Sequence, residues 1–151
     1  MSEEASQDNI NVCISGYFDP ITVGHLAYMQ NARKLIKGNG KLIVIVNNDR
    51  QAILKKEREF MPFKERLIVV QSIRFVDIVV PSIDQDRTVC QTIRKAHSEH
   101  RIDIIANGGD QNNDTIPEVP VCKELGIKLV DGLGDKIQSS SWLTGIKAKK
   151  N

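Results

Sequence analysis

An open, doubly wound α/β sheet is the fold that the sequence predicts, on three observations. Strand-sized apolar runs alternate with amphipathic helical patterns along most of the 151 residues, which is the pattern of parallel βαβ units. Glycine turns follow the first and the fourth apolar run. The length suits one domain. We therefore expect a single domain with a five-stranded parallel sheet in the order 3-2-1-4-5, in which strands 1 and 4 are neighbours.

Spacing of the apolar residues predicts the individual elements. The near-continuous apolar run at 10–15 suits a strand that is covered on both faces. Apolar residues three or four positions apart then predict a helix over 24–37, which Gly38 is expected to end. The other predicted strands are 41–46, 76–80, 102–106 and 127–130. Two further helices are predicted over 62–74 and 84–100, and two more are predicted to begin at Asp114 and at Lys136.

The composition is that of an ordinary globular protein, with 40% hydrophobic and 26% charged residues. A net charge of +2 is too small to indicate a nucleic-acid partner. The apolar runs are too short to span a membrane, and the polar, acidic N-terminus is unlike a signal peptide. We expect a cytoplasmic protein with a disordered tail at 1–9, a domain over 10–146 and a basic tail at 147–151.

The three cysteines, Cys13, Cys90 and Cys122, are odd in number and widely spaced, with no Cys-x-x-Cys pair. This spacing favours neither a disulfide framework nor a zinc site. We interpret them as core or near-core thiols in a reducing compartment.

The turn over Gly16–His25 is the strongest functional signal. It lies between the first strand and the first helix and carries two glycines and a histidine. A helix N-terminus presents free N–H groups and a partial positive charge, so it attracts phosphate. Gly24 lets a ligand approach the backbone closely. The alternative is a purely structural strand–turn–helix unit, which is common in this fold class.

This turn, called the signature turn below, resembles the signature of the cytidylyltransferase-like nucleotidyltransferases, Gly-x-Phe-Asp-x-x-(His/Thr)-x-Gly-His. The matching residues are Gly16, Phe18, Asp19, Thr22, Gly24 and His25. The resemblance implies a Rossmann-like HxGH-type fold and the joining of a nucleoside triphosphate to a phosphorylated alcohol or sugar, with release of pyrophosphate. Relatives of glycerol-3-phosphate cytidylyltransferase have His at the position of Thr22, whereas pantetheine-phosphate adenylyltransferases have Thr.

Two later segments extend the resemblance to about 12–143. Gly108-Gly-Asp110 and Val46-Asn-Asn-Asp49 look most like heptose-phosphate adenylyltransferases. The serines 139–141 match the family's triphosphate-binding segment, although the Arg that cytidylyltransferases carry just before it is missing and only Lys136 stands nearby. The choice between CTP and ATP therefore stays open.

The resemblance implies a set of site residues. The catalytic candidates are His25, Thr22 and a lysine at 55 or 56 (Lys55, Lys56). The nucleotide-binding candidates are Gly16, Tyr17, Phe18, Asp19, Gly24, Gly108, Gly109, Asp110, Lys136, Ser139, Ser140 and Ser141. Asp19, standing before a proline, is also interpreted as a residue that shapes the turn. Mg²⁺ bound to the nucleotide, with few protein ligands, is the expected cofactor.

The expected partners are CTP or ATP and a phosphorylated sugar or polyol, with neither nucleic acid nor membrane. Family resemblance around 74–77 also suggests a homodimer, and Arg66 and Arg74 are assigned to packing or to that contact. Two alternatives stay open: a nucleotide-binding regulator without turnover, and a flavodoxin-like or response-regulator domain, in which the glycine–histidine turn is unexpected.

Overall fold

The structure is a computed structural model that describes residues 9–55, 58–108 and 118–133. The strands are β1 (Val12–Gly16), β2 (Leu42–Val46), β3 (Ile78–Pro81), β4 (Ile104–Gly108) and β5 (Lys128–Leu133). The helices are α1 (Val23–Arg33), α2 (Asp49–Lys55), α3 (Phe63–Gln71), α4 (Cys90–His100) and α5 (Val119–Leu125).

These strands form a parallel five-stranded sheet in the order β3-β2-β1-β4-β5. The predicted fold class and strand order are confirmed. Val12 on β1 lies opposite Leu42 on one side and Ile104 on the other, which places β1 between β2 and β4. The winding reverses between β1 and β4, so their carboxyl ends border the crevice where such sheets bind ligands.

The sheet is covered on both faces, as the continuous apolar strands predict. One face packs against α1 and α3, whose contributions include Met29, Ala32 and Val70. The opposite face packs against α4 and α5, through Ile93, Ala96, Val121 and Cys122. Successive residues of β1 and β2 alternate between these two clusters, and this alternation fixes the register of the strands.

The first helix is shorter than predicted. It ends at Arg33, whereas the sequence predicts helix to 37. The chain instead turns so that Ile10 and Lys37 form an antiparallel bridge. Gly40 is needed beside this bridge, because a Cβ there would lie 1.8 Å from the carbonyl oxygen of Ile10.

One other helix start is also wrong in the prediction. The helix predicted over 84–100 begins at Cys90, because the carboxylate of Asp84 accepts hydrogen bonds from the first-turn amides and so stands outside the helix that it caps. α5 starts at Val119, with Pro120 in its first turn, and the helix start predicted at Asp114 lies outside the described residues. That position suits a proline, since its N–H would have no intrahelical partner.

The strand boundaries shift by one to three residues. β1 begins two residues later than predicted, β3 runs on to Pro81, and β4 occupies 104–108 because Asp103 and Ile104 both donate to the carbonyl of Asn11. β5 extends to Leu133, so position 132 lies within the strand. The helix predicted from 136 lies outside the described residues.

Burial of the cysteines agrees with the prediction. Cys13 and Cys122 are buried and Cys90 is partly buried, and all three are free thiols. Burial raises the pKa of Cys122 to about 11 and raises the pKa of Cys13 still further. Within the described part of the chain, no helix is long and apolar enough to cross a membrane.

The segment over 74–77, predicted to pair two subunits, is held within its own chain. Arg33 donates to the carbonyl of Phe75 and forms an ion pair with Asp77 at 2.9 Å. Asp77 also accepts from the N–H of Leu42. Arg74 is exposed, and the homodimer stays a prediction.

Candidate active site

The turn after β1 ends in a mutual cap between Thr22 and His25. Thr22 is the N-cap of α1, and its hydroxyl accepts from the N–H of His25 at 3.4 Å. The ring of His25 completes the capping box, because its Nδ1 accepts from the N–H of Thr22 at 2.9 Å. Glu or Gln usually fills this third helical position, so a catalytic candidate here also holds its own helix.

This cap fixes the tautomer of His25. Since Nδ1 accepts a hydrogen bond from a backbone N–H, its lone pair is in use and the ring proton lies on Nε2. A second proton on Nδ1 would place two donors face to face. With Nδ1 accepting, Nε2 is the ring nitrogen that donates, which suits stabilisation of negative charge on a ligand.

Phe18 holds an unusual backbone conformation at the centre of the turn. Its φ is 51°, in the left-handed region that non-glycine residues rarely adopt, and such a residue costs about 1–3 kcal/mol. The residue is 2% exposed, and its ring lies edge-on to that of His25, with centroids 5.1 Å apart. Gly16 leaves room for it, because a Cβ there would lie 2.9 Å from the ring.

The amide of Phe18 has no hydrogen-bond partner anywhere in the described chain. The residue is almost fully buried, and buried N–H groups without a partner are rare in folded proteins. An unsatisfied donor beside a helix N-terminus is a natural contact for a phosphate oxygen. Of all the groups in the turn, this one most directly indicates a ligand.

Asp19 shapes the turn, as one of its two sequence interpretations predicts. The carboxylate is fully buried and accepts from the amides of Phe60 and Met61. It therefore fastens the segment before α3 to the signature turn. Its second predicted role, as a nucleotide contact, stays a prediction.

Lys55 lies at the end of α2 beside the same turn. Its Nζ sits 4.4 Å above the centre of the Tyr17 ring, in cation–π geometry. Burial raises the pKa of Tyr17 to about 12, so the phenol stays protonated near neutral pH. The structure thus brings Lys55 to the turn, whereas Lys56 lies outside the described residues.

Arg66 is the residue that sequence reasoning underestimated. It is fully buried on α3 and donates to backbone carbonyls of Tyr17 and Asn47. A signal was present in the sequence, because Arg66 lies on the same helix face as Phe63 and Val70, three residues after one and four before the other. Packing within its own chain, the first of its two sequence assignments, is confirmed.

A cleft of about 440 Å³ opens beyond the carboxyl ends of β2 and β3. Polar and apolar groups both line it, and the lining residues are Asn48, Asp49, Arg50, Phe63, Ser82, Ile83, Asp84 and Gln85. Asp49 also forms an ion pair with Arg66 at 2.7 Å, and Arg66 donates to the carbonyl of Tyr17. This cleft therefore adjoins the signature turn.

The carboxyl end of β4 forms the other side of the crevice. The phenol of Tyr28 on α1 donates to the carbonyl of Ala106, tying the helix of the signature turn to this strand. Gly108 is the last residue of β4. The remaining predicted site residues, Lys56, Gly109, Asp110, Lys136 and Ser139–Ser141, lie outside the described residues.

Known proteins resemble the chain in both fold and sequence. A crystal structure of a lipopolysaccharide core biosynthesis protein from Thermoplasma volcanium superposes with a TM-score of 0.66 at 24% identity, over 83% of this chain and 98% of that one. This likeness shows a shared fold.

Two curated relatives are both called bifunctional protein HldE. The protein from Yersinia enterocolitica is 34% identical over 107 residues, and that from Cronobacter sakazakii is 36% identical over the same length. Each match covers 70% of this chain but only 21% of the relative, so the chain spans about a fifth of their length. The sequence model of the cytidylyltransferase-like family matches residues 13–133. The chain therefore belongs to the cytidylyltransferase-like family.

Proposed function

We propose that this protein is a nucleotidyltransferase that moves CMP or AMP from CTP or ATP to a phosphorylated sugar or polyol and releases pyrophosphate. One observation carries the proposal: the amide of the almost fully buried Phe18, which has no partner in the described chain, lies in the same turn as His25, whose Nδ1 accepts a hydrogen bond and so leaves Nε2 as the donor. Family membership and the HldE relatives support the same class of reaction.

The transfer needs no general base from the protein. An oxygen of the acceptor's phosphate attacks the α-phosphorus of the nucleotide. The bond from this phosphorus to the bridging oxygen of the β-phosphate breaks, and pyrophosphate leaves with that electron pair. Catalysis then depends on positioning the phosphates and stabilising their charge.

Four groups of the signature turn and α2 position the phosphates and stabilise their charge. The Phe18 amide holds a phosphate oxygen, and His25 donates from Nε2 to the charge that develops during transfer. Thr22 keeps the histidine ring in place through the capping box. Lys55 adds a positive charge beside the turn, above Tyr17. The serines at 139–141 and Lys136 belong to the same proposal through the family resemblance.

Mg²⁺ is proposed to arrive with the nucleotide. The described residues contain no group of three or more His, Cys, Asp or Glu side chains that could hold a metal ion. Asp19 is the acidic residue of the signature turn, and its buried carboxylate already accepts hydrogen bonds from two backbone amides. The described residues therefore fit a Mg²⁺ ion whose ligands are phosphate oxygens and water. Such an ion would neutralise charge on the leaving pyrophosphate. Removing divalent ions with EDTA should abolish turnover, and added Mg²⁺ should restore it.

The acceptor is proposed to be a phosphorylated sugar. The segments at 46–49 and 108–110 resemble heptose-phosphate adenylyltransferases, and the cleft beside the turn includes amide, hydroxyl and carboxylate groups of the kind that bind sugar hydroxyls. On this resemblance ATP is the first nucleotide to test, with CTP beside it.

The proposal is tested by measuring pyrophosphate release from a matrix of nucleoside triphosphates and acceptors. Phosphorylated heptoses, hexoses and polyols are each combined with ATP, CTP, GTP and UTP. We expect release with ATP or CTP and at least one phosphorylated acceptor, and none with the unphosphorylated sugar. Tight nucleotide binding without release in any combination would instead favour a regulatory nucleotide-binding protein.

A further inference from the structure

Arg66 is a buried charge that the proposed chemistry does not use. It is 0% exposed, and each of the three nitrogens of its guanidinium donates at least one hydrogen bond. Nε donates to the carbonyl of Met61, Nη1 to the carbonyls of Tyr17 and Asn47, and Nη2 to the carboxylate of Asp49. Burying a guanidinium is costly unless its donors are satisfied, so these contacts explain how the charge is tolerated.

The contact with Tyr17 determines which way the next amide faces. Nη1 of Arg66 lies 2.8 Å from the carbonyl oxygen of Tyr17. Asp19–Pro20 is the cis peptide bond of this turn, and the Tyr17–Phe18 bond is trans. In a planar trans peptide the C=O and the following N–H point in opposite directions. Holding the carbonyl toward Arg66 therefore turns the Phe18 N–H away from it.

The same guanidinium also ties α2 to the signature turn. Asn47 and Asp49 lie at the end of β2 and the start of α2, and α2 carries Lys55 at its other end. One planar group thus connects the backbone that presents the Phe18 amide with the helix that presents the lysine. Lysine could not replace it, because an ammonium lacks the fixed fork of five donors.

We propose that Arg66 is a positioning residue of the nucleotide site: by holding the Tyr17 carbonyl, it keeps the strained turn in the conformation that presents the Phe18 amide to a phosphate. This inference rests on the proposed function, in which that amide binds a phosphate oxygen. It assigns Arg66 no contact with substrate.

Arg66→Lys tests this role while keeping the positive charge. The matched control is Arg74→Lys, since Arg74 is exposed. We expect Arg66→Lys to fold, to lose about tenfold in ATP or CTP affinity, as for one hydrogen bond to a charged group, and to lose about a hundredfold in kcat through misplaced groups. Arg74→Lys should match the wild type in both measurements.

The direct readout is the ¹H–¹⁵N NMR signal of the Phe18 amide during titration with ATP or CTP. In the wild type the signal should move downfield as the amide gains a phosphate acceptor, and in Arg66→Lys that change should be lost. A Phe18 signal that responds equally in both proteins would overturn the role of Arg66. A Phe18 signal that responds in neither protein would instead overturn the proposed phosphate site, so the two failures are distinguishable.

A second variant guards against loss of folding. Asp49→Asn combined with Arg66→Gln removes both charges of the Arg66–Asp49 ion pair, so that no carboxylate is stranded at 49. The buried Asp19 carboxylate, 4.0 Å from Nε of Arg66, keeps the amides of Phe60 and Met61 as donors. The double variant should show the same loss of the Phe18 response, and Asp49→Asn alone should keep it, because the Arg66–Tyr17 contact survives. If neither Arg66 variant folds, Arg66 is a core residue without a separable positioning role, and the proposal is wrong.

Discussion

Two strand-to-helix connections at the same edge of the sheet differ in how their backbone donors are satisfied. After β3, the buried carboxylate of Asp84 accepts from the amides of Gln91 and Thr92, each at 2.9 Å. After β1, Thr22 and His25 cap each other, but the buried Phe18 amide keeps no partner in the described chain. The first connection is closed by its own side chain, whereas the second keeps a donor that the proposed phosphate would occupy.

This difference separates a structural cap from a binding site more clearly than glycine content or helix position does. A fold gains nothing by leaving a buried N–H unpaired or by holding Phe18 at a φ of 51°. Such a turn persists only when its surroundings enforce it. Here Arg66, Asp19 and the packed ring of Phe18 enforce it, which is the expected signature of preorganisation for a ligand.

The largest expected effect is that of His25→Ala on turnover. Loss of a donor to the transition state typically costs about a hundred- to thousandfold in kcat, or roughly 3–4 kcal/mol. Nucleotide affinity, measured by calorimetry, should change much less, because backbone amides still hold the phosphates. Equal losses in kcat and affinity would make His25 a binding residue only.

His97→Ala is the matched control for that experiment. The ring of His97 also accepts from a backbone amide, that of Ile102 at 3.0 Å, but it does so at the C-terminal end of α4. We expect a lower melting temperature and unchanged kcat. If His97→Ala reduced turnover as strongly as His25→Ala, the active site would be misplaced.

Asp84→Ala should affect stability rather than nucleotide binding. It strands the first-turn amides of α4, and unsatisfied buried donors cost about 1–3 kcal/mol. Urea unfolding should show this loss, while calorimetry should show unchanged ATP or CTP affinity. A marked loss of affinity would mean that the connection after β3 belongs to the nucleotide site.

Gly16→Ala tests whether the ring of Phe18 must stay where it is. The new Cβ would meet that ring at 2.9 Å, and overpacking of this kind costs about 1–3 kcal/mol. We expect lower stability together with weaker nucleotide binding. Gly126→Ala serves as a control, since Gly126 has a φ of 73° and open space around it, so it should lose stability alone.

The smallest effect concerns the thiols on the face away from the turn. Burial raises the pKa of Cys122 to about 11 and raises that of Cys13 further, so little thiolate forms at pH 8. Alkylation of the native protein at pH 8 should therefore be slow at both positions. In urea without reductant, titration should find three reactive thiols, and a lower number would indicate a disulfide.

Local patterns were enough to predict much of the fold and the signature turn. Alternating apolar runs predicted the sheet order, and the resemblance of Gly16–His25 to the family signature predicted the residues that the structure brings together. The sequence did not show the hydrogen-bonding role of Arg66 or the capping role of Asp84, because each depends on partners that only the folded chain brings near. A charge in a helical pattern is usually solvated, whereas Arg66 is fully buried.

The most direct test of phosphate binding at the signature turn is a crystal structure of the protein with ATP or CTP bound. We predict a phosphate oxygen about 3 Å from the amide nitrogen of Phe18, with another phosphate oxygen at the same distance from Nε2 of His25. The amides capped by Asp84 should have no phosphate contact. A nucleotide whose phosphates lie away from Phe18, with the amide still unpaired, would contradict the account.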